Sequence, residues 1–238
     1  MRSDLLHLEG LCVGYGKGDV VSDASISVAA GRVVTIIGPN GAGKSTLIKS
    51  VIGVVKPRIG SVRIDGQEVA GLAPSEIARH GVAFVPQEQN VFRTLSVREN
   101  LEMGAWIDRS HAEQNMATVF DIFPVLKAKL GQRAGNLSGG QRQMVAFGMG
   151  LMVEPRLLLL DEPSAGLSPL MTGQMFEAIE RVKARGIAIL MVEQNALQAL
   201  RISDEGIVMA AGRVALRSPA SEMLANQQIG DLYLGTRE

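Results

Sequence analysis

The segment GPNGAGKST, residues 38–46, constrains the fold of this chain more than any other part of it. It matches the pattern G-x-x-x-x-G-K-[ST], follows the apolar run RVVTII and precedes the apolar stretch TLIKSVIGVV. A strand, a glycine-rich turn and a helix in this order predict a loop whose backbone N–H groups and helix dipole bind phosphate. We therefore expect a nucleotide-binding α/β core.

Every residue of this loop is a candidate contact for the phosphates of ATP. We expect the Lys44 ammonium to reach the β- and γ-phosphates and the Ser45 hydroxyl to bind Mg²⁺. Thr46 could contact the α-phosphate or only cap the helix, and without its flanks the pattern would be a simple glycine-rich turn. The candidate contacts are Gly38, Pro39, Asn40, Gly41, Ala42, Gly43, Lys44, Ser45 and Thr46.

Two kinds of strand pattern occur along the chain. The continuous apolar runs GVAFVPQ, RLLLLDEP and IAILMVEQ alternate with segments of helical spacing, which predicts a buried parallel sheet. The N-terminal segments DLLHLEGLCVGYG and GSVRIDGQEVAG alternate apolar and polar residues around glycine turns, which predicts an antiparallel sheet. The fold class is therefore α/β, a P-loop NTPase core with an N-terminal antiparallel β subdomain.

Between Gln87 and Asp161 a long stretch lacks strand-like runs. Ser96 and Glu99 form an S-x-x-E capping box, and HAEQNMATVFDIF carries a second helical pattern. We therefore predict a helical subdomain inserted into the core.

We expect a single domain over residues 1–238. Residues 1–87 and 155–238 would form the α/β core with its antiparallel subdomain, and residues 88–154 the inserted helical subdomain. Near the C-terminus, EGIVMAAGRVAL predicts a hairpin and SPASEMLANQQIGDLYL predicts one or two closing helices.

Charge and composition limit the expected partners and location. Lys+Arg and Asp+Glu number 24 each, so no excess of basic residues indicates a nucleic-acid partner. Cys12 is the only cysteine, which fits a reducing compartment. The start of the chain lacks the apolar stretch of a secretory signal, and the longest apolar runs are too short to cross a bilayer. The expected location is cytoplasmic.

The strand RLLLLDEP ends in two carboxylates, at the edge where a parallel sheet binds its ligands. We expect Asp161 to hold the Mg²⁺ shell and Glu162 to orient or deprotonate an attacking water. Without the phosphate loop, the pair could equally be an acidic turn that caps a helix.

The segment LSGGQRQ resembles the start of a helix that binds an anion. Ser138 and Gln141 form an S-x-x-Q capping box, while Gly139 and Gly140 weaken the first turn and leave its N–H groups accessible to phosphate. The phosphate loop with Lys44 already binds the nucleotide of this chain. The helix after Ser138 would therefore have to bind a nucleotide held by another chain. We therefore predict that two chains pair head to tail, each helix facing the ATP of the other.

Taken together, GPNGAGKST, VPQ at Gln87, LSGGQRQ and LLLLDEP, in this order, resemble the nucleotide-binding subunit of an ABC transporter over almost the whole chain. The resemblance implies an ABC cassette in which Gln87 contacts Mg²⁺ and water and links the ATP site to a membrane subunit. It also implies that Tyr15 stacks on adenine. From the residues alone, Tyr15 could equally be a lone exposed aromatic and Gln87 a polar strand end.

The resemblance also implies the partners. They are a second ATPase subunit, identical or different, integral membrane permease subunits and, indirectly, a periplasmic solute-binding protein. The chain would lie peripherally on the inner face of the plasma membrane. The segment EQNVFRTLSVREN is our candidate for the surface that receives the permease, although Val91, Phe92 and Leu95 could equally pack inside the helical subdomain.

The chain departs from the usual ABC pattern at three positions. Gln194 stands where most cassettes have a histidine that contacts the γ-phosphate, Ser168 where many have an aspartate, and Met149 where arginine is common. An amide donates a hydrogen bond but carries no proton at neutral pH, so the role of base falls to Glu162. Gln194 could also be a solvated strand end without a ligand.

The segments DEPSAGLSP and VEQN resemble the ATPases of bacterial importers for branched-chain amino acids, urea and short amides. An ATPase that energises such uptake is therefore the expected function. One alternative is the ATPase of a lipid or lipopolysaccharide exporter, which usually keeps the histidine. Another is a soluble ABC ATPase that acts on ribosomes or DNA, which the length and the neutral charge disfavour.

Overall fold

The computed structural model of the chain describes residues 4–16, 18–88 and 90–226. They form a four-stranded antiparallel sheet, a six-stranded, mainly parallel sheet and the helices around them. The strands are β1 (Asp4–Val13), β2 (Val21–Ala29), β3 (Val33–Ile37), β4 (Ile59–Ile64), β5 (Gln67–Glu68), β6 (Val82–Val85), β7 (Leu157–Asp161), β8 (Ala188–Val192), β9 (Glu205–Ala210) and β10 (Arg213–Pro219). The helices are α1 (Lys44–Val51), α2 (Pro74–Ala78), α3 (Val97–Gly104), α4 (Ala112–Ile122), α5 (Pro124–Lys127), α6 (Gly139–Leu151), α7 (Pro169–Ala184), α8 (Ala196–Ile202) and α9 (Ala220–Ala225), with a 3₁₀ turn at Ala134–Asn136.

The larger sheet has the order β10-β9-β3-β8-β7-β6, and its strands from β9 to β6 run parallel. Strands β3, β7 and β8 are buried at every residue, as expected for a parallel sheet that is covered on both faces. Strand β10 pairs antiparallel with β9 at the edge. The predicted parallel core and the predicted hairpin are both confirmed.

The smaller sheet has the order β2-β1-β4-β5, and all its pairs are antiparallel. In β2, buried Val21, Ala24, Ile26 and Val28 alternate with more exposed residues. This buried face packs with α1 and with one face of the parallel sheet in a single apolar core. The predicted antiparallel sheet near the N-terminus is therefore confirmed, as is the α/β fold class.

Helices α3 to α6 lie between β6 and β7 in the chain. The predicted capping box begins α3: the Ser96 hydroxyl accepts the N–H of Glu99 at 3.2 Å, and the Glu99 carboxylate accepts the N–H of Ser96 at 2.7 Å. The apolar faces of α3, α4 and α6 form a second core, which continues onto the other face of the parallel sheet. The subdomain boundaries drawn from the sequence remain predictions.

The end of the described chain contains one closing helix, α9, after the hairpin. The rest of the segment predicted to form closing helices, residues 227–234, lies outside the described residues. Among residues 4–16, 18–88 and 90–226, no helix combines the length and the apolar character needed to cross a bilayer.

The contact between α3 and α6 leads to a prediction about stability. A Cβ atom added at Gly104 would lie 2.4 Å from the backbone oxygen of Met149, so the two helices would have to move apart. We expect Gly104→Ala to lower the free energy of unfolding by about 1–3 kcal/mol. The midpoint of urea denaturation measures this change.

Gly131→Ala is the matched control, because Gly131 is exposed and no atom lies within 4 Å of the added Cβ. Its effect should stay within about 0.5 kcal/mol. Helix propensity alone would make Gly104→Ala more stable by up to about 1 kcal/mol, so a higher midpoint for that variant contradicts the packing argument.

Candidate functional site

Residues 38–43 connect β3 to α1 at the carboxyl edge of the parallel sheet, and residues 44–46 form the first turn of α1. Two glycines of this loop are required by close approach. A Cβ at Gly38 would lie 2.1 Å from the backbone oxygen of Met209, and one at Gly43 would lie 3.0 Å from that of Val20. Both residues also have positive φ angles, of 148° and 96°. The wrapped backbone that the sequence pattern predicts is therefore present.

The Lys44 side chain is buried at the base of this loop, and its residue is only 5% exposed. Its ammonium donates to the backbone oxygens of Gly38 at 2.8 Å and Pro39 at 3.1 Å. Burial lowers the pKa of Lys44, and the charges of Glu162 and Asp161 act in the opposite direction. A buried cation held mainly by backbone carbonyls is suited to bind an anion such as a phosphate.

Ser45 and Asp161 meet beside the loop, where the Ser45 hydroxyl donates to Asp161 Oδ1 at 2.8 Å. Both side chains offer the oxygen ligands that Mg²⁺ prefers, so Ser45 and Asp161 are the residues that would hold such an ion here. In the described ranges, no three or more His, Cys, Asp or Glu side chains are grouped to hold a metal ion. Mg²⁺ commonly binds through one or two protein ligands together with phosphate oxygens and water, so two such side chains are enough for a site completed by a nucleotide.

Glu162 directly follows β7, and its side chain accepts two amide hydrogen bonds. Oε2 accepts from Nε2 of Gln87 at 3.0 Å and from Nε2 of Gln194 at 2.8 Å. The backbone of Glu162 is left-handed, with φ 50°, and its N–H donates to the oxygen of Val192 at 2.9 Å. A left-handed glutamate costs about 1–3 kcal/mol, so the surrounding contacts hold it in a strained position.

The helix that begins after Ser138 has the predicted cap. The Ser138 hydroxyl accepts the N–H of Gln141 at 3.2 Å, and Gln141 Oε1 accepts the N–H of Ser138 at 3.3 Å. Gly139 is exposed, with no atom within 4 Å of an added Cβ, whereas a Cβ at Gly140 would lie 2.5 Å from Cε of Met171. Position 140 therefore requires glycine because Met171 packs beside it, which the sequence pattern did not reveal. Of the two glycines, Gly139 is the one that borders open space.

Tyr15 lies on the loop between β1 and β2, and 58% of its surface is exposed. The other end of this loop approaches the phosphate loop, because Val20 faces Gly43. Arg58 holds the loop in place through hydrogen bonds to Asp19 and to the backbone oxygen of Gly16. The stacking of Tyr15 on adenine remains a prediction.

Glu193 is a buried residue of the site that our sequence analysis did not identify. Only 1% of its surface is exposed, and its carboxylate accepts the N–H groups of Ser164 at 2.8 Å, Gln194 at 3.0 Å and Asn195 at 3.2 Å. The pKa of Glu193 is raised above its usual value, because burial outweighs these hydrogen bonds, which act to lower it. The signal in the sequence was a charged residue directly after a wholly apolar strand, where a charge is buried only if it has partners.

An apolar groove of about 480 Å³ lies between the parallel sheet and the helices that follow β6. Phe92, Met103 and Trp106 line it and are 49%, 43% and 45% exposed. Val91 packs against the apolar core of the helices, and Met149 lies between that core and the groove. Of the segment after Gln87, Phe92 is therefore exposed in the groove, whereas Val91 is partly buried and both packs on the core and lines the groove.

Comparison with protein families matches residues 21–165 to the ABC transporter family. The chain is 43% identical over 232 residues to the high-affinity branched-chain amino acid transport ATP-binding protein BraG of Pseudomonas aeruginosa, covering 97% of this chain and 100% of the relative. It is 36% identical over 233 residues to the probable branched-chain amino acid transport ATP-binding protein LivF of Archaeoglobus fulgidus, covering 97% and 99%. The lipopolysaccharide export system ATP-binding protein LptB of Escherichia coli K12 is 30% identical over 236 residues, with 97% of each chain covered.

Solved structures give the same fold. The ADP conformation of MJ1267, an ATP-binding cassette of an ABC transporter, superimposes with a TM-score of 0.86 at 27% identity, covering 98% of this chain and 100% of that one. The structure of an ATP-binding subunit of an ABC transporter has a TM-score of 0.82 at 29% identity, with 94% of each chain covered.

The position of Lys44 leads to a prediction about ATP affinity. We expect Lys44→Ala to weaken ATP binding at least tenfold, about 1.4 kcal/mol, because it removes the buried cation of the phosphate loop. Isothermal titration calorimetry with the purified chain measures the affinity. Lys49→Ala is the control, since it removes the same charge from the far end of α1 and should leave the affinity unchanged. Undiminished binding by Lys44→Ala would refute the role assigned to this residue.

Proposed function

The chain belongs to the ABC transporter family and is an ATPase, and from this premise we propose that it energises a bacterial importer. We propose that the imported solutes are branched-chain amino acids or related small solutes such as urea or amides. Support comes from the 43% identity to BraG over nearly the full length of both chains. The segment VEQN, with Gln194 in place of a histidine, supports the same subgroup.

The observation that carries the catalytic assignment is the position of Glu162 between two amides. The side chains of Gln87 and Gln194 both donate to Oε2 of Glu162, at 3.0 Å and 2.8 Å. Among the described residues, Oε1 has no hydrogen-bond partner. Oε1 is therefore the oxygen that we assign to the attacking water.

Hydrolysis would proceed as follows in this geometry. Residues 38–46 wrap the phosphates of ATP, and the Lys44 ammonium pairs with the β- and γ-phosphates. Ser45 and Asp161 would hold a Mg²⁺ ion, which neutralises charge on the phosphates, with Gln87 beside it. Oε1 of Glu162 orients a water and accepts its proton as the water oxygen attacks the γ-phosphorus, and the bond to the β-phosphate oxygen breaks to release ADP.

Gln194 would contribute as a neutral donor. Its NH₂ group, which donates to Glu162 in the structure, could donate to a γ-phosphate oxygen instead, since both oxygens accept hydrogen bonds. It cannot relay a proton, so the proton taken from the water stays with Glu162 in this scheme. Lipopolysaccharide exporters are the nearest alternative, and the 30% identity to LptB is lower than the 43% identity to BraG.

The α6 N-terminus supports the assignment of a second subunit. Ser138 and Gly139 are exposed, and the structure shows no hydrogen bond from this turn to residues 38–46. We propose that in a head-to-tail dimer Ser138, Gly139, Gly140 and Gln141 face the γ-phosphate bound by the partner chain. Each ATP would then lie between the phosphate loop of one chain and the α6 N-terminus of the other.

The apolar groove supports the assignment of a membrane partner. A soluble protein rarely leaves a phenylalanine, a methionine and a tryptophan exposed together unless another protein covers them. The groove also borders Pro86, which precedes Gln87 and thus connects the groove to Glu162. We propose that a cytoplasmic segment of the permease binds here, which places the chain peripherally on the inner face of the plasma membrane.

The first test replaces the proposed base. We expect Glu162→Gln to lower kcat for ATP hydrolysis at least about a hundredfold while ATP still binds, because an amide cannot accept the proton of water.

In a strain that lacks the gene for this chain, the wild-type gene should restore uptake of labelled leucine and Glu162→Gln should not. Glu180→Gln is the control, since it removes the same charge from an exposed position on α7. Unchanged leucine, urea and amide uptake in the deletion strain would refute the proposed importer.

The second test examines the shared site. Lys44→Ala and Gly139→Asp variants should each be inactive as homodimers, because every site then lacks one half. Mixed in equal amounts, they form heterodimers with one intact site, and up to about a quarter of the wild-type ATPase activity should return. Lys44→Ala mixed with a chain carrying both substitutions is the control, since that heterodimer has no intact site. Equal activity in the two mixtures would rule out a site shared between chains.

A further inference from the structure

Glu193 stands at the junction of two loops that border Glu162. It follows the last residue of β8 and precedes Gln194. Its side chain points into the protein, with 1% of the residue exposed. None of the roles assigned above uses this carboxylate, although a buried charge is retained in a fold only where specific contacts offset its desolvation.

The two carboxylate oxygens contact different loops. Oε1 accepts the N–H of Ser164, in the loop that leads from Glu162 to α7, at 2.8 Å. Oε2 accepts the N–H groups of Gln194 at 3.0 Å and of Asn195 at 3.2 Å, in the loop that leads from β8 to α8. The side chain therefore connects the two loops as a bridge between backbone groups.

Glu162 lies at the point where these loops meet. Its N–H donates to the oxygen of Val192, the residue before Glu193, at 2.9 Å. Its Oε2 accepts the amide of Gln194, the residue after Glu193, at 2.8 Å. The left-handed backbone of Glu162 is strained, so it needs neighbours that fix it from both sides.

We propose that Glu193 is a positioning residue for ATP hydrolysis, whose carboxylate fixes the loop after Glu162 and the loop of Gln194 relative to each other. Through the Gln194 backbone it holds the Gln194 amide on Glu162. Through Ser164 it holds the segment that leads to the cap of α7 at Ser168. This inference rests on the proposed role of Glu162 as the base.

Replacing Glu193 with glutamine tests whether the carboxylate acts through its hydrogen bonds or only fills space. Glu193→Gln has nearly the same shape, but its NH₂ group cannot accept a hydrogen bond. Whichever way the amide is oriented, its NH₂ opposes the N–H of Ser164 or those of Gln194 and Asn195. One loop is then released while the other stays bound, and the phosphate loop is not altered.

We expect Glu193→Gln to lower kcat by about tenfold to a hundredfold, because small displacements of reacting groups reduce rates by such factors. The KM for ATP should change less than about threefold, since Lys44 and its loop are intact. Glu193→Asp keeps two accepting oxygens and should retain more activity than Glu193→Gln. Glu180→Gln, which neutralises an exposed glutamate, should behave as the wild type.

A double-mutant cycle with Gln194→Ala tests whether Glu193 acts through its neighbour. If the carboxylate positions the Gln194 amide, Gln194→Ala should lower kcat much less in the Glu193→Gln background than in the wild type. Steady-state ATPase assays on the purified full-length chains, with thermal unfolding to confirm folding, give both quantities. If Glu193→Gln does not fold, the same cycle is run with Glu193→Asp.

The inference would be overturned if Glu193→Gln kept a kcat within twofold of the wild type. It would also be overturned if the fall in kcat/KM came from a higher KM for ATP. Fully additive effects of the two substitutions in the cycle would be a third contradiction. Glu162→Gln, assayed in parallel, separates the two proposals. If Glu162→Gln is inactive while Glu193→Gln hydrolyses ATP normally, only the role of Glu193 is wrong. If Glu162→Gln keeps the wild-type kcat, the proposed base itself is wrong.

Discussion

The parallel pairing of β3, β8 and β7 is the constraint on which the candidate site depends. Ile36 pairs with Val192, and Val192 pairs with Asp161, so these strands end at the same edge of the sheet. The phosphate loop follows β3, the Gln194 loop follows β8, and the two carboxylates are the last residue of β7, Asp161, and the residue after it, Glu162. Residues more than a hundred positions apart, such as Ser45 and Asp161, therefore come within hydrogen-bonding distance. A shift in this register would separate Ser45 from Asp161 and Glu162 from Gln194.

Features decided within a few residues could be predicted from the sequence. The phosphate loop needs only its glycines, Lys44 and two apolar flanks, and the capping boxes at Ser96 and Ser138 need only four residues each. Contacts between distant segments could not be predicted. Met171 fills the space beside Gly140, and Glu193 binds Ser164 across 29 positions, because the packing of whole elements brings these residues together.

Within the described part of the chain, the carboxylate of Glu162 is held by amide hydrogen bonds and forms no ion pair. Two neutral amides donate to it, and the backbone of β8 fixes its N–H. Salt bridges in such a place would have competed with the phosphates for the same positive groups. Amides leave the Lys44 ammonium available to a phosphate. This arrangement fits the roles proposed for Glu162 as the base and for Lys44 as a phosphate contact.

The packing of Met171 against Gly140 has a consequence for a pair of chains. Met171 lies in the first turn of α7, just after the loop that leaves Glu162, whereas Gly140 lies in the turn proposed to face the other chain's ATP. One methionine thus connects the loop after Glu162 to the N-terminal turn of α6 by direct packing. A displacement of either segment would press on the other within the same chain, so two nucleotides bound by a pair of such chains would be coupled, as a Hill coefficient different from one would show.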